Sequence, residues 1–197
     1  TLAEIAATRG EQSAAINYFA RALQTAPGHY ATLVSYADYL LSVKQYAALI
    51  TLIEDANIVS PGLALRHRIA LQALPGKLRP SGKWPAEKSL AFSDTSAFSD
   101  TSAFSDTTKA DLARNFSLEM IPSDEPAARE QVLFHLYVQR DAELALKAAL
   151  ANLIVHREPE DIRLWWLAAS AASRAGELEK VHAWLVQKGW HDARLSL

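Results

Sequence analysis

The chain has 197 residues, half of them hydrophobic, with 20 Lys and Arg against 22 Asp and Glu and no cysteine. The formal net charge of −2 excludes a strongly basic nucleic-acid binder. The absence of cysteine excludes disulfide frameworks, thiolate metal sites and cysteine nucleophiles. No apolar run approaches the ~18 residues that a membrane-spanning helix needs. Because the chain opens without a Met and inside a helical pattern, we expect its native N-terminus to lie upstream.

The first long helical pattern runs from Gly10 to Pro27. Small or aromatic side chains recur in it at Ala15, Phe19 and Ala22, which is the spacing of one helix face. Glycine permits a tight turn between helices, and proline ends a helix. The pattern therefore predicts a helix that follows a turn and packs closely on a neighbour, with these three side chains buried.

Pro61 follows Pro27 by 34 residues, which indicates a repeating unit. Lys44 stands where the first unit has its turn glycine. Helical patterns fill residues 30–42, 46–56 and 63–74. We expect the core of this part to include Tyr36, Ala37 and Leu40. The third pattern ends at Pro75-Gly76 without a recognisable second helix.

Residues 75–124 interrupt the helical patterns and form a linker or insertion. Within them, residues 91–107 repeat Ala-Phe-Ser-Asp-Thr-Ser almost without variation. This composition is typical of a low-complexity linker, for which we expect weak order and few contacts with the helices. Two alternatives stay open: six-residue coils of a small β-solenoid, and a repeat that is not native.

Helical patterns resume over residues 125–197. The first pair spans 127–139 and 142–156, with Arg140 in place of the turn glycine. Gly176 follows Pro159 by 17 residues, and its position predicts the last interhelical turn. Trp165 and Ala169 fall on the apolar face and should be buried. Trp166 must point about 100° away from Trp165, so it should leave the core.

The first unit resembles the second half of a tetratricopeptide repeat. Five residues carry the resemblance: Gly10, Ala15, Phe19, Ala22 and Pro27. It extends over about residues 1–74 and 125–190, and stretches such as "YADYLLS" are similar to the C-terminal half of bacterial, often exported, proteins of this family. The resemblance implies an all-α solenoid of stacked antiparallel helix pairs. It also implies a bacterial protein of the periplasm or cytoplasm.

The resemblance further implies a scaffold or adaptor that binds a protein or peptide along a concave face. The family's groove positions correspond here to Val34, Asp38, Leu41, Arg68, Gln72, Phe134, Tyr137, Trp166, Ser170 and Arg174. Their mixture of apolar groups and both charges favours a peptide held through apolar anchors over one held by its carboxylate. We expect Trp166, Phe134 and Tyr137 to share an exposed patch, with Arg174 at its edge.

The sequence carries no catalytic motif, so we expect neither an enzyme nor a cofactor. Gly76 and Gly82 are separated by one residue too many for a phosphate-binding loop, and Trp84 replaces the required Ser or Thr. The six histidines never recur at the spacing of one helix face, so no metal site is expected. One alternative is a structural spacer or self-assembly module that forms homo-oligomers through exposed repeat ends. A third hypothesis is an enzyme with its site in residues 75–124.

Overall fold

The computed structural model describes residues 1–58, 60–74 and 126–195. Helix makes up 79 % of these residues and none of them forms a strand, which confirms the all-α class. The helices are α1 (Leu2–Thr8), α2 (Gln12–Thr25), α3 (Tyr30–Ser42), α4 (Tyr46–Ala56), α5 (Pro61–Ala73), α6 (Pro126–Leu133), a π-helical segment (Phe134–Gln139), α7 (Ala142–Val155), α8 (Pro159–Ala171) and α9 (Ala175–Lys188). The predictions for residues 75–124, including the repeat at 91–107, lie outside the described residues.

The chain divides into two compact units. The central unit is Ala22–Pro122, and the terminal unit combines Thr1–Arg21 with Ser123–Leu197. This division differs from the predicted blocks, in which residues 1–74 stay together. The first turns of the chain belong instead with its C-terminal helices, so contacts in the terminal unit are not confined to sequence neighbours.

In the central unit, α4 packs against α3 and α5, and α3 also packs against α5. Ser60 begins α5 by accepting a hydrogen bond from the Leu63 N–H, and Pro61 occupies the first turn. The core consists of aliphatic side chains from all three helices: Leu33, Leu40, Leu49, Ile53, Leu63, Leu65 and Ile69.

In the terminal unit, α7 packs between α6 and α8, and α9 packs against α8. The helix α8 begins at a capping box in which Glu158 and Asp161 satisfy each other's backbone N–H groups. The core includes Val132, Leu133, Ala145, Ala149, Leu164, Trp165, Val181 and Leu185.

Four turns between helices share the same backbone conformation. A residue in the left-handed region follows the first helix at Gly10, Lys44, Arg140 and Ser173, with φ of +76°, +58°, +56° and +53°. In three of the turns the next N–H donates back to a carbonyl five residues earlier, as from Gln45 to Leu40 at 2.8 Å. Lys44 and Arg140 therefore take the role that glycine has in the first turn, as their sequence positions predicted.

Buried side chains repeat at fixed distances within the second helices. The fifth and ninth residues after Gly10, Lys44, Arg140 and Gly176 are all buried: Ala15 and Phe19, Leu49 and Ile53, Ala145 and Ala149, Val181 and Leu185. The prediction that Gly176 makes the last turn is nevertheless wrong. Ser173 makes this turn. Gly176 is an exposed residue in the first turn of α9, because α9 starts about one turn earlier, relative to its buried positions, than α2, α4 and α7 do.

The predicted core is confirmed at most positions. Ala15, Phe19, Ala37, Leu40, Trp165 and Ala169 are buried. The prediction for Ala22 is wrong, because this residue of α2 is exposed. Tyr36 is half-buried rather than buried.

Candidate partner-binding faces

The ten predicted groove residues lie on or beside the first helices of the helix pairs. In the central unit these helices are α3 and α5, and in the terminal unit they are α6 with its π-helical segment and α8. Within each unit the two first helices are in contact. Each unit therefore presents its own candidate face, built from two adjacent helices.

The central face contains fewer accessible groups than the sequence predicted. Asp38 and Leu41 are buried, so in this conformation they do not face solvent. Val34 and Arg68 are half-buried, and Gln72 is exposed. Burial lowers the pKa of Arg68, as expected for a guanidinium partly removed from water.

Asp38 is buried because it holds an arginine that the sequence analysis did not single out. Arg66 is 0 % exposed and donates from Nε to Asp38 Oδ1 at 2.6 Å and from Nη2 to Oδ2 at 2.9 Å. Its Nη1 donates to the Gly62 carbonyl at 2.9 Å. This two-pronged pair joins α3 to α5, so Asp38 has a structural task instead of a partner-binding one.

A second polar contact joins α4 to α5 in the central unit. His67 Nε2 lies 3.5 Å from Glu54 Oε1, and both side chains are almost fully enclosed. Burial lowers the pKa of His67 to about 4, with the charge of Arg68 acting in the same direction. Burial also raises the pKa of Glu54, and neighbouring Asp55 adds to that effect.

The terminal face keeps more of its predicted members accessible. Phe134 is buried, which removes it from the expected exposed patch. Tyr137 and Trp166 are half-buried, and Ser170 and Arg174 are exposed. Trp166 and Ser170 are four residues apart and share one side of α8. The Arg174 guanidinium pairs with Glu143 of α7 at 2.9 Å on the surface.

The two adjacent tryptophans of α8 take different roles, as the helical spacing predicted. Trp165 is 8 % exposed, and its indole Nε1 donates to Glu177 Oε2 in α9 at 3.1 Å. That hydrogen bond satisfies the polar end of the buried ring. Trp166 keeps part of its surface in solvent. It is therefore the largest side chain on the candidate face of the terminal unit.

A charged network joins α6, α7 and α8 in the terminal unit. Arg129 Nε donates to Asp161 Oδ1 at 2.6 Å, and its Nη2 donates to Glu158 Oε2 at 2.6 Å. Asn152 Nδ2 also donates to Asp161 Oδ1, at 2.8 Å. Burial alone would lower the pKa of Arg129, but its hydrogen bonds to Asp161 and Glu158 hold that pKa above its usual range. The network fixes the first helices side by side.

The described residues offer no group of three or more His, Asp or Glu side chains that could hold a metal ion. Among the same residues no helix is both long and apolar enough to cross a membrane. Comparisons with protein-family models, with curated proteins and with solved structures gave no match.

Sequence reasoning missed the arginines that tie the first helices together. Arg66 lies between the apolar residues Leu65 and Ile69 of α5, at a position that faces the core. A charged residue on a buried face requires a partner, and this was the available signal. Its partner, Asp38, lies 28 residues earlier, a separation that no local pattern specifies.

Proposed function

We propose that this chain is a helical-repeat scaffold of the tetratricopeptide type that binds an extended peptide segment of another protein. Support for a repeat comes from the left-handed turns at Gly10 and Lys44, 34 residues apart, and from the recurring burial that follows each of them. A bacterial origin, in periplasm or cytoplasm, is part of the proposal.

One observation carries the binding proposal. Two half-buried aromatic side chains lie on first helices of the terminal unit, Tyr137 on the π-helical segment that continues α6 and Trp166 on α8, with Ser170 and Arg174 exposed farther along α8 and its turn. Tyrosine, tryptophan and arginine are the residues most enriched at binding hot spots. Apolar anchors with neighbouring hydrogen-bonding groups suit a peptide segment. No catalytic group or cofactor enters this function.

Selection of peptides from a random library on the immobilised full-length chain tests the proposal. We expect a family of related peptides whose binding protects amides of the π-helical segment and of α8 from hydrogen exchange. Val186 on α9 is 67 % exposed and provides a control, since Val186→Ala should leave peptide affinity unchanged. Failure to select any peptide, or protection confined to other helices, would refute the assignment of this face.

A second candidate function is self-assembly, as a spacer in a larger structure. It is favoured by large apolar side chains that stay exposed in the terminal unit: Leu2, Ile5, Leu144, Leu150, Ile154, Val155 and Val186. Sedimentation velocity over a wide concentration range separates the two functions. Self-assembly predicts a sedimentation coefficient that rises with concentration, whereas the peptide-binding proposal predicts binding by a species of constant size.

A further inference from the structure

The two ends of the described chain meet at the turn between α1 and α2. The Ala193 N–H donates to the Thr8 carbonyl at 2.8 Å. A Cβ placed on Gly10 would lie 3.0 Å from the Ala193 Cβ, closer than side chains normally approach. The C-terminal segment, residues 190–195, therefore passes directly over the first interhelical turn.

This contact completes the hydrogen bonding at the end of α1. The turn itself satisfies the carbonyls of Ala6 and Ala7 through the Glu11 and Gly10 N–H groups, at 2.9 and 3.1 Å. The carbonyl of Thr8 receives its donor from Ala193 instead. A helix end needs such partners for its last carbonyls, so the C-terminal segment supplies part of the cap of α1.

The C-terminal segment is itself fixed to α8. Arg194 donates to Asp192 from Nε at 2.9 Å and from Nη2 at 2.6 Å, and its Nη1 lies 3.4 Å from Glu160 Oε2. Glu160 also pairs with Arg163. Burial alone would raise the pKa of Glu160, but the charges of Arg163 and Arg194 hold it below its usual range. The Arg194–Glu160 contact thus joins the segment to α8, and the Ala193 N–H joins it to α1.

We propose that residues 190–195 form a latch, fixed on α8, that holds the N-terminal hairpin of α1 and the first part of α2. The hairpin leaves this latch as one piece while α7 and α8 stay folded. The contact between the latch and the hairpin is the hydrogen bond from Ala193 to Thr8, beside the close approach of Ala193 to Gly10. In the held state Ala3, Ala6 and Ala7 of α1 are buried.

Hydrogen exchange of the full-length chain, read by mass spectrometry, tests the latch. Gly10→Ala places a methyl group against Ala193 and should speed exchange of the α1 amides by at least about tenfold, with α7 and α8 unchanged. Gly189→Ala is the matched control: Gly189 also has a positive φ, +59°, but nothing lies within 4 Å of its added methyl. It should leave α1 exchange near the wild-type rate. Adding Ala193→Gly to Gly10→Ala should restore much of the protection.

Arg194→Gln keeps the test decisive if Gly10→Ala does not fold. This variant removes the Arg194–Glu160 ion pair that joins the segment to α8, and α1 exchange should again rise several-fold. Wild-type exchange of α1 in both Gly10→Ala and Arg194→Gln would overturn the latch. Equal acceleration in α1, α7 and α8 would also overturn it, because the hairpin would then not be a separate unit.

Discussion

The central and terminal units join their successive first helices with the same chemistry in different surroundings. In the central unit, Arg66 is fully enclosed, and Asp38 receives both of its hydrogen bonds from it. In the terminal unit, the Arg129 side chain is 21 % exposed and contacts two carboxylates. Asp161 there also accepts from Asn152 and from the Glu158 N–H.

This difference shows why two arginine–carboxylate pairs of similar geometry should differ in sensitivity to mutation. A buried carboxylate that depends on one guanidinium becomes an uncompensated charge when that group is removed. A buried carboxylate that has other hydrogen-bond donors keeps part of its stabilisation when the guanidinium is removed. The loss of stability on mutation therefore depends on which donors remain around the carboxylate rather than on the distance across the ion pair.

The largest expected effect follows Arg66→Ala. It should cost the central unit about 3–5 kcal/mol in free energy of unfolding, because Asp38 stays buried without its donor. Denaturant unfolding, with hydrogen exchange of α3–α5 to assign the loss, measures it. The double variant Arg66→Met with Asp38→Leu is the control and should recover most of the stability. A loss below about 1 kcal/mol in Arg66→Ala would refute the assigned dependence.

Acid should weaken the central unit before the terminal one. His67 has a folded pKa of about 4 against an ordinary 6.5, so the unfolded chain binds its proton first. The neutral His67 side chain makes its full contribution to stability above pH 6.5. As the pH falls towards 4, the free energy of unfolding of the central unit falls by up to about 3 kcal/mol. Unfolding free energies measured across this range test the expectation.

Two variants separate the groups that produce this pH dependence. His67→Gln should flatten the profile between pH 6.5 and 4. The raised pKa of Glu54 acts in the opposite sense: its contribution is present at low pH and is lost as the pH rises through the folded value. Glu54→Gln should therefore make the acid loss steeper. An unchanged profile in His67→Gln would show that another group titrates.

A smaller effect should follow Arg129→Ala in the terminal unit. We expect a loss of about 1–2 kcal/mol, because Asp161 retains two donors after the guanidinium is gone. Denaturant unfolding, with hydrogen exchange of the α6–α8 amides, compares this loss directly with that of Arg66→Ala. Equal losses in the two variants would contradict the distinction between the units.

The smallest effect concerns the last turn and has the opposite sign. Gly176 lies inside α9, and nothing would contact an added methyl group. Gly176→Ala should therefore stabilise the terminal unit, by at most about 1 kcal/mol, since alanine favours helix. Thermal melting measures this change. A destabilised variant would instead indicate that Gly176 makes the last interhelical turn, as the sequence spacing predicted.

Local signals in the sequence predicted the helices and much of the core. The left-handed turns at Lys44 and Arg140 and the split between Trp165 and Trp166 follow from spacing within one helix pair. Contacts between distant segments could not be predicted in this way. The pairing of Asp38 with Arg66, and of Thr8 with Ala193, depends on how helices pack, which no local pattern encodes. For the same reason, the burial of Phe134 was missed.

Trp166 provides the most direct test of the proposed binding face. The affinity of a library-selected peptide is measured for the full-length wild type, for Trp166→Ala and for the exposed control Val186→Ala. We predict that Trp166→Ala weakens binding about 30-fold while remaining folded, since truncating a hot-spot residue costs about 2 kcal/mol or more. Val186→Ala should bind as the wild type does. Wild-type affinity in Trp166→Ala would contradict the account.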